Sequence, residues 1–308
     1  MSYKEKEFLI AKPTKAYQFL MEILGLNMAE AQKYINKGKV IYQGKPLQNH
    51  EKNKILEKSV KVLLFSADCI GLNPIFTNED FAIFNKPPKM LIHPKGRFAH
   101  HSLIDEIKAT LGERATLVHR IDKETSGLVL AAKDYKRASE LGELFLKGAV
   151  FKKYLALARG KLEYGEFCFS LPLATQQKGT DLSVRSLYLG QKRDLNLKFK
   201  EAKTQFKPLK FYKDTTLLEV IPKTGRTHQI RVHLFALGFP ILGDPLYGCE
   251  DDKSRIYLDR EFIQEGYKPL NNEERTRYFG ASRLMLQAQE LAFSYKGRDY
   301  TFSLKEEF

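Results

Sequence analysis

The chain has 308 residues, 43% of them hydrophobic, with a formal charge of +14 and a pI near 9.4. That length supports one large or two smaller globular domains, and the apolar content excludes a disordered or collagen-like chain. The basic excess fits a polyanionic partner, of which nucleic acid is the commonest.

Cys69, Cys168 and Cys249 are too few and too scattered for a disulfide framework or a CxxC metal pattern, so a reduced, cytoplasmic setting is expected. The N-terminal MSYKEKEFLI lacks the apolar core of a signal peptide, and no apolar run reaches the roughly eighteen residues of a membrane span. The seven histidines include no H-E-x-x-H, so no metal is expected. A monomer is expected.

Residues 1–75 read as a small unit of their own. Asn27 caps a helix over MAEAQKYINKG that Gly38 stops, KVIYQ follows as a strand, Gly44-Lys45 turns, and VKVLLF (60–65) is a second strand. This segment holds 12 lysines, no arginine and 7 acids, or 12 − 7 = +5, against 39 − 30 = +9 for the other 233 residues. The stretch AEAQKYINKGKVIYQGK resembles the small RNA-binding module called S4. It has Ile-Tyr-Gln-Gly where Val-Asn-Gly is common, and the arginine-rich helix start is missing.

Residues 67–78, rich in Gly, Asn and Pro, read as a linker to a second domain over 76–308. There FAIFN, TLVHR, GLVLAAK and KKYLALARG are strands, as are 198–211, 215–221 and the tail around 284–303. HSLIDEIKATLG is a helix ended by Gly112, DYKRASELGELFLKG one capped by Asp134 and ended by Gly148, and a third opens near Thr227 and ends at Gly238. Unequal connections predict an α+β fold with a mixed, largely antiparallel central sheet and flanking helices, plus the small N-terminal α/β domain. Neither GxGxxG after a strand nor GxxxxGKS/T occurs, so no nucleotide cofactor is expected. Residues 250–277, with 8 acids, 6 bases and few apolar positions, read as a surface insertion.

Four stretches carry candidate chemistry. In HRIDKETSGL, Asp122 stands at a turn between two apolar runs, where a carboxylate serves as nucleophile or base only if a fixed cation keeps it ionised. TGRTHQIRVHLFALG supplies Arg226 at a turn, with His228, Arg231 and Phe235 on one helical face. Strand alternation puts Tyr154, Ala156 and Ala158 on one face, leaving room for a flat ring against the tyrosine. In NKPPKMLIHPKG, prolines frame Lys86 and His93 in a loop able to reach a phosphate.

Together the loop NKPPKMLIHP, the signature HRIDKETSGLVLAAK, the strand KKYLAL and the run TGRTHQIRVHLFALGFPILGDPLYG resemble the RluA-type pseudouridine synthases. The likeness runs from about Asn78 to the C-terminus. It departs in Gly238-Phe239-Pro240, where Gly-His-Pro is commoner, and in Gln287, where a histidine is frequent. The resemblance implies isomerisation of uridine in RNA to pseudouridine, ribosomal RNA being favoured over transfer RNA. It makes Asp122 the catalytic aspartate, Arg231 its partner, Tyr154 the residue packed on the base and Arg120 the one filling the space of a flipped nucleotide. His119, Lys86, Arg226 and His228 are the further expected RNA contacts. The alternative is a non-catalytic RNA-binding protein on the same fold; a hydrolase would need a second carboxylate, and the direction of nearby Glu124 is not readable.

Overall fold

The computed structural model describes residues 3–65, 69–93, 102–175, 182, 184–191, 197–262 and 268–305. The chain divides into two compact units, Met1–Asp68 and Cys69–Phe308.

The first unit runs β1 (Tyr3–Lys15), α1 (Ala16–Leu24), α2 (Met28–Asn36), β2 (Val40–Tyr42), β3 (Lys45–Pro46) and β4 (Ile55–Phe65). Its antiparallel sheet has the order β1-β4-β2-β3. Leu20, Ala31, Ile35, Val40, Leu56 and Val62 form its core. The expected cap is present: Asn27 Oδ1 accepts the Glu30 N–H at 3.0 Å and Glu30 Oε2 accepts the Asn27 N–H at 3.1 Å, a reciprocal box that stabilises a helix start by about 1 kcal/mol. The strand β1 and helix α1 were not expected. Lys4, Glu5, Lys6 and Glu7 put charge on both faces of β1, which hides its period of two; pairing along most of β4 holds it extended.

The second unit contains β5 (Phe76–Thr77), β6 (Phe81–Lys86), α3 (Leu103–Leu111), β7 (Thr116–Leu117), β8 (Ser126–Ala132), α4 (Tyr135–Leu146), β9 (Phe151–Arg159), β10 (Phe167–Ser170), β11 (Leu173–Thr175), β12 (Ser186–Tyr188), β13 (Lys203–Phe211) and β14 (Thr215–Pro222). It continues with α5 (Gln229–Ala236), α6 (Asp251–Phe262), α7 (Asn272–Phe279), β15 (Leu286–Tyr295) and β16 (Arg298–Ser303). The main sheet has the order β10-β13-β14-β9-β15-β8-β6-β5, with β16 on β15 and β7 on β8. Among the described strands of this sheet only the β15–β8 pair is parallel, which is the expected mixed and largely antiparallel architecture.

Strand β8 is buried along its whole length, which explains its unbroken apolar reading. At its start Gly127 has φ +110°, and a Cβ there would lie 2.3 Å from the Ala288 carbonyl oxygen on β15. Only glycine lets the two strands close in this register.

Three expectations need correction. The domain boundary lies within the expected linker but ahead of residue 76, because Glu106 accepts the Ile70 and Leu72 N–H groups at 2.7 and 2.9 Å and Leu72 packs on the core under α3. TLVHR is a strand only at Thr116–Leu117; beyond it the chain bends toward Asp122. The segment 250–277 is no solvated surface insertion: α6 and α7 bury Tyr257, Leu270 and Arg275, with Phe279 just beyond it. Residues 94–96 of the expected proline-framed loop lie outside the described residues.

Candidate active site

The turn 119–125 hangs between β7 and β8, closed by the Thr125 N–H donating to the Asp122 carbonyl at 3.2 Å. Across from it, α5 begins at His228, which has φ +56°. Gln229 fixes that start: its Oε1 accepts from the Thr224 hydroxyl (2.7 Å) and the Arg226 N–H (3.0 Å), and its Nε2 donates to the Lys203 carbonyl (3.0 Å) and Thr204 Oγ1 (2.9 Å) on β13. One turn later Arg231, 1% exposed, lines a cavity of about 830 Å³.

The guanidinium has two carboxylate partners. Its Nε and one terminal nitrogen donate to the two oxygens of Asp244 at 2.7 and 2.8 Å, and the other terminal nitrogen donates to Asp122 Oδ2 at 3.3 Å. The two-point grip is therefore on Asp244, and Asp122 receives one bond. Asp244 is fully buried and also accepts the Leu246 and Tyr247 N–H groups at 2.8 and 3.1 Å, whereas Asp122 keeps 21% of its side chain exposed to the cavity. Gly243 allows this: a Cβ there would fall 1.9 Å from the Arg283 carbonyl oxygen.

Burial alone would push the Asp122 carboxyl up. His228 when protonated, Arg231 with its hydrogen bond, and Arg120 outweigh that and hold it below the usual carboxylate range. Burial pushes His228 itself down to about 4, so at neutral pH the standing cations are the two arginines. The His228 ring lies with Nε2 3.9 Å from Asp122 Oδ1, while Nδ1 shares a 2.9 Å hydrogen bond with the Tyr247 hydroxyl. Tyr154 comes from β9, where it, Ala156 and Ala158 face one core cluster as alternation predicts. It lines the same cavity as Asp122, and burial together with the Asp122 charge raises its hydroxyl well above the ordinary range. Arg120 and Arg226 are exposed cavity-lining residues, the latter with Nε on the Glu201 carbonyl at 2.9 Å.

Two expected RNA contacts are placed otherwise. Lys86 is 0% exposed; its ammonium donates to the carbonyls of Pro87 (2.8 Å), Met90 (3.1 Å) and Lys123 (2.9 Å). Burial pushes it down to about 7, yet three carbonyls match the three donors of its protonated form. It braces the Asp122 turn from beneath. His119 lines the cavity but stacks on Phe145 at 4.6 Å, and its Nε2 accepts the Leu130 N–H at 3.0 Å; burial pushes it down to about 3, so it is a neutral wall.

Glu124 turns away from the cavity. It is 3% exposed and accepts from Arg275 at 2.5 Å and from the Tyr257 hydroxyl at 2.8 Å, while Lys123 pairs with Glu261. Although burial raises the Glu124 carboxyl, Arg275 and Lys123 bring it below its ordinary value. A carboxylate so committed is no second acid for hydrolysis. Among the described residues no group of three or more His, Cys, Asp or Glu is arranged to hold a metal, and no helix is long and apolar enough to cross a membrane.

Sequence reasoning missed Asp244 and Tyr247. Both lie in GDPLYG, at the end of the last run that carries the resemblance, where nothing in the sequence shows that the carboxylate faces α5.

An ionised carboxylate that keeps part of its side chain open to the cavity, oriented by a buried guanidinium and with a tyrosine lining the same cavity, has the make-up of a nucleophile or general base. The sequence profile of the RNA pseudouridylate synthase family matches residues 80–236, which include Asp122, Tyr154 and Arg231. The chain is 35% identical over 302 residues to an uncharacterized RNA pseudouridine synthase of Helicobacter pylori, covering 97% of this chain and 93% of that one. It is 30% identical over 253 residues to ribosomal large subunit pseudouridine synthase D of Buchnera aphidicola, covering 78% and 75%. With tRNA pseudouridine(31) synthase of Saccharomyces cerevisiae it shares 32% over 218 residues, covering 66% and 54%. The solved structure of human RNA pseudouridylate synthase domain containing 1 superposes with a TM-score of 0.59 at 23% identity, over 78% of this chain and 86% of that one, and so shares the fold.

The chain belongs to the RNA pseudouridylate synthase family. It is an enzyme that isomerises uridine in RNA, and the reading as a non-catalytic RNA binder is set aside.

Proposed function

We propose that the protein is an RluA-type synthase in which Asp122 is the catalytic carboxylate, acting on uridines of ribosomal RNA. The observation that carries this is the unequal sharing of Arg231: Asp244 saturates one side of the guanidinium, and the remaining N–H orients an ionised Asp122 that still faces the cavity.

In the isomerisation the bond from uracil N1 to ribose C1′ breaks, the base turns, and C1′ bonds to C5. C5 loses a proton and N1 gains one, so atoms balance without an oxidant or co-substrate. Asp122 serves either by adding to C1′ or by removing a ribose proton to give a glycal, and both roles need the ionised form. Arg231 fixes Oδ2, and Tyr154 lies flat against the base. Arg120, on the cavity wall beside Asp122, fills the stack the uridine leaves. Arg226 takes a phosphate, and His228 meets the nucleotide beside Asp122.

The first unit, with 12 lysines and no arginine, grips structured RNA in the manner of an S4 module. The preference for ribosomal RNA rests on that unit and on the Buchnera relative; the yeast relative acts by its name on transfer RNA. Position-resolved pseudouridine mapping of total RNA, with and without this protein, tests the reading. Sites lost only from ribosomal RNA support it, and sites lost only from transfer RNA overturn the substrate assignment.

A further inference from the structure

The cavity wall opposite α5 is made by the end of α4 and the start of β9, the stretch 145–152. Ala138, Leu141, Leu144 and Phe145 turn the apolar face of α4 onto the core beneath β8. Leu146 falls off that face and is 89% exposed, the highest value among the exposed large apolar side chains described. Gly148, at φ +70°, ends the helix, and Phe151, 41% exposed, opens β9. Both side chains line the same cavity as Asp122. A leucine and a phenylalanine left in water beside a catalytic cavity stabilise nothing in the free protein; scattered over a surface they would need no account, but here they share one lip.

The rest of the lining says what would cover them. Arg120, Lys152, Lys223, Arg226 and Arg231 line the cavity, and among the described residues Asp122 is its one carboxylate. That sign favours a polyanion over an acidic-rimmed or neutral protein surface. At about 830 Å³ the cavity sits toward the upper end of small-ligand sites, about 300–1,000 Å³, so it has room beyond a single uracil. An apolar shelf beside a cationic wall suits a nucleobase, whose face is apolar and whose phosphates are charged.

We propose that Leu146 and Phe151 form a subsite that packs against the unpaired nucleobase next to the target uridine, holding the opened strand while the target enters the cavity. The subsite rests on the reading of the cavity as the uridine site. It reads the face of the base rather than its edge, so it selects for an unstacked neighbour, not for a sequence.

The test uses the full-length protein and a synthetic RNA hairpin carrying a mapped uridine, with 2-aminopurine placed in turn at each flanking position. Binding should change the fluorescence strongly at one flank. Leu146→Ser and Phe151→Ser, both at exposed positions, should abolish that change and weaken binding about tenfold each, the order of one lost base stack. The salt dependence of affinity should be unaltered, because no phosphate contact is removed. Phe151→Tyr, which keeps the ring, should restore both signals. Asp122→Asn serves as the control that separates the two ideas: it should bind and give the fluorescence change without turnover. If that control behaves so while the serine variants bind within twofold of wild type, the subsite is wrong and the cavity reading stands. If Asp122→Asn turns over normally, the cavity reading itself fails.

Discussion

Arg231 and Arg275 are both fully buried, both bound to carboxylates, and both serve the seven residues from His119 to Thr125 from opposite sides. Around Arg275 every carboxylate oxygen of Glu124 is taken, one by the guanidinium and one by Tyr257, and the group is closed to solvent. Around Arg231 the buried partner is Asp244, and the third donor reaches a carboxylate that keeps a face in the cavity. A buried ion pair is weak evidence for stability and weaker for function. What separates the pair proposed to work from the bracing one is the surplus donor and the partly open acid.

The largest effect should come from Asp122→Asn, which keeps size and removes charge. RNA should still bind while pseudouridine formation falls below detection; activity within tenfold of wild type would sink the assignment. The corresponding change on the closed side, Glu124→Gln, removes a charge that touches no substrate, and turnover per folded molecule should survive.

Arg231→Lys comes next. A lysine ammonium is a point charge on a flexible stem and does not reproduce the fork that spans Asp244 and Asp122 together. Loss of an oriented donor at the reacting group should lower turnover by about 10²-fold, with RNA affinity nearly kept. Full activity would mean that Asp122 does not depend on this pairing.

The closed pair should answer in stability instead. Arg275→Met leaves Glu124 buried without its paired cation, with Tyr257 as its remaining hydrogen-bond donor among the described residues, a cost of roughly 3–5 kcal/mol in urea denaturation. The double variant Glu124→Leu/Arg275→Met should recover most of that, since two apolar side chains leave no orphaned charge. If the double variant were as unstable as the single one, the pair would be holding the Asp122 turn in a way that packing cannot replace.

How much of this was legible follows the same division. Asp122, Arg231 and Tyr154 stand out in the sequence only as candidates, the last by strand alternation and the first two by charge at a turn and on a short helix, and it is the family resemblance that gives them roles. Asp244 does not stand out, because a carboxylate in a Gly-Pro turn looks solvated until the fold folds it back on α5. Lys86 misled for the opposite reason: a lysine before two prolines looks free, and only the structure shows three carbonyls converging on it. The segment 250–277 reads as surface since, apart from Leu270, its buried positions among the described residues are Ser254, Tyr257, Glu261 and Arg275, side chains with polar groups that no scan for apolar stripes will find. Buried polar networks are specified by partners distant in sequence, and a single chain does not announce them.

A smaller effect is expected from pH. Asp122 lies below its ordinary 3.8 and Glu124 below its ordinary 4.5, both lowered in the folded chain. Carboxylates of this kind contribute stability that is complete above their unfolded values and is lost as pH falls through the folded ones. Turnover at saturating RNA should therefore stay level from about pH 6.5 down to about 5, since Asp122 remains ionised and His228, near 4, remains neutral. A half-maximal point above about pH 5 would mean that Asp122 is not held by its cations as described.

The smallest effect on chemistry should come from removing the first unit, and here the structure moves the cut. The sequence suggested ending the deletion at residue 75. That would strip Ile70 and Leu72 from the Glu106 carboxylate and Leu72 from the core under α3, and confuse lost binding with lost folding. A deletion of 1–68 leaves Cys69–Phe308 with its own cores and every residue assigned to the site. If the first unit grips RNA, its 12 lysines neutralise phosphates, and the shortened protein should bind more weakly and lose less affinity as salt rises. Single-turnover rates at saturating RNA should stay near wild type, because Asp122, Arg231 and Tyr154 are untouched. Binding of both proteins to one substrate RNA across a salt series measures this directly. Equal affinities with equal salt slopes would show that the lysines are a solvated face and that the second unit alone holds the RNA.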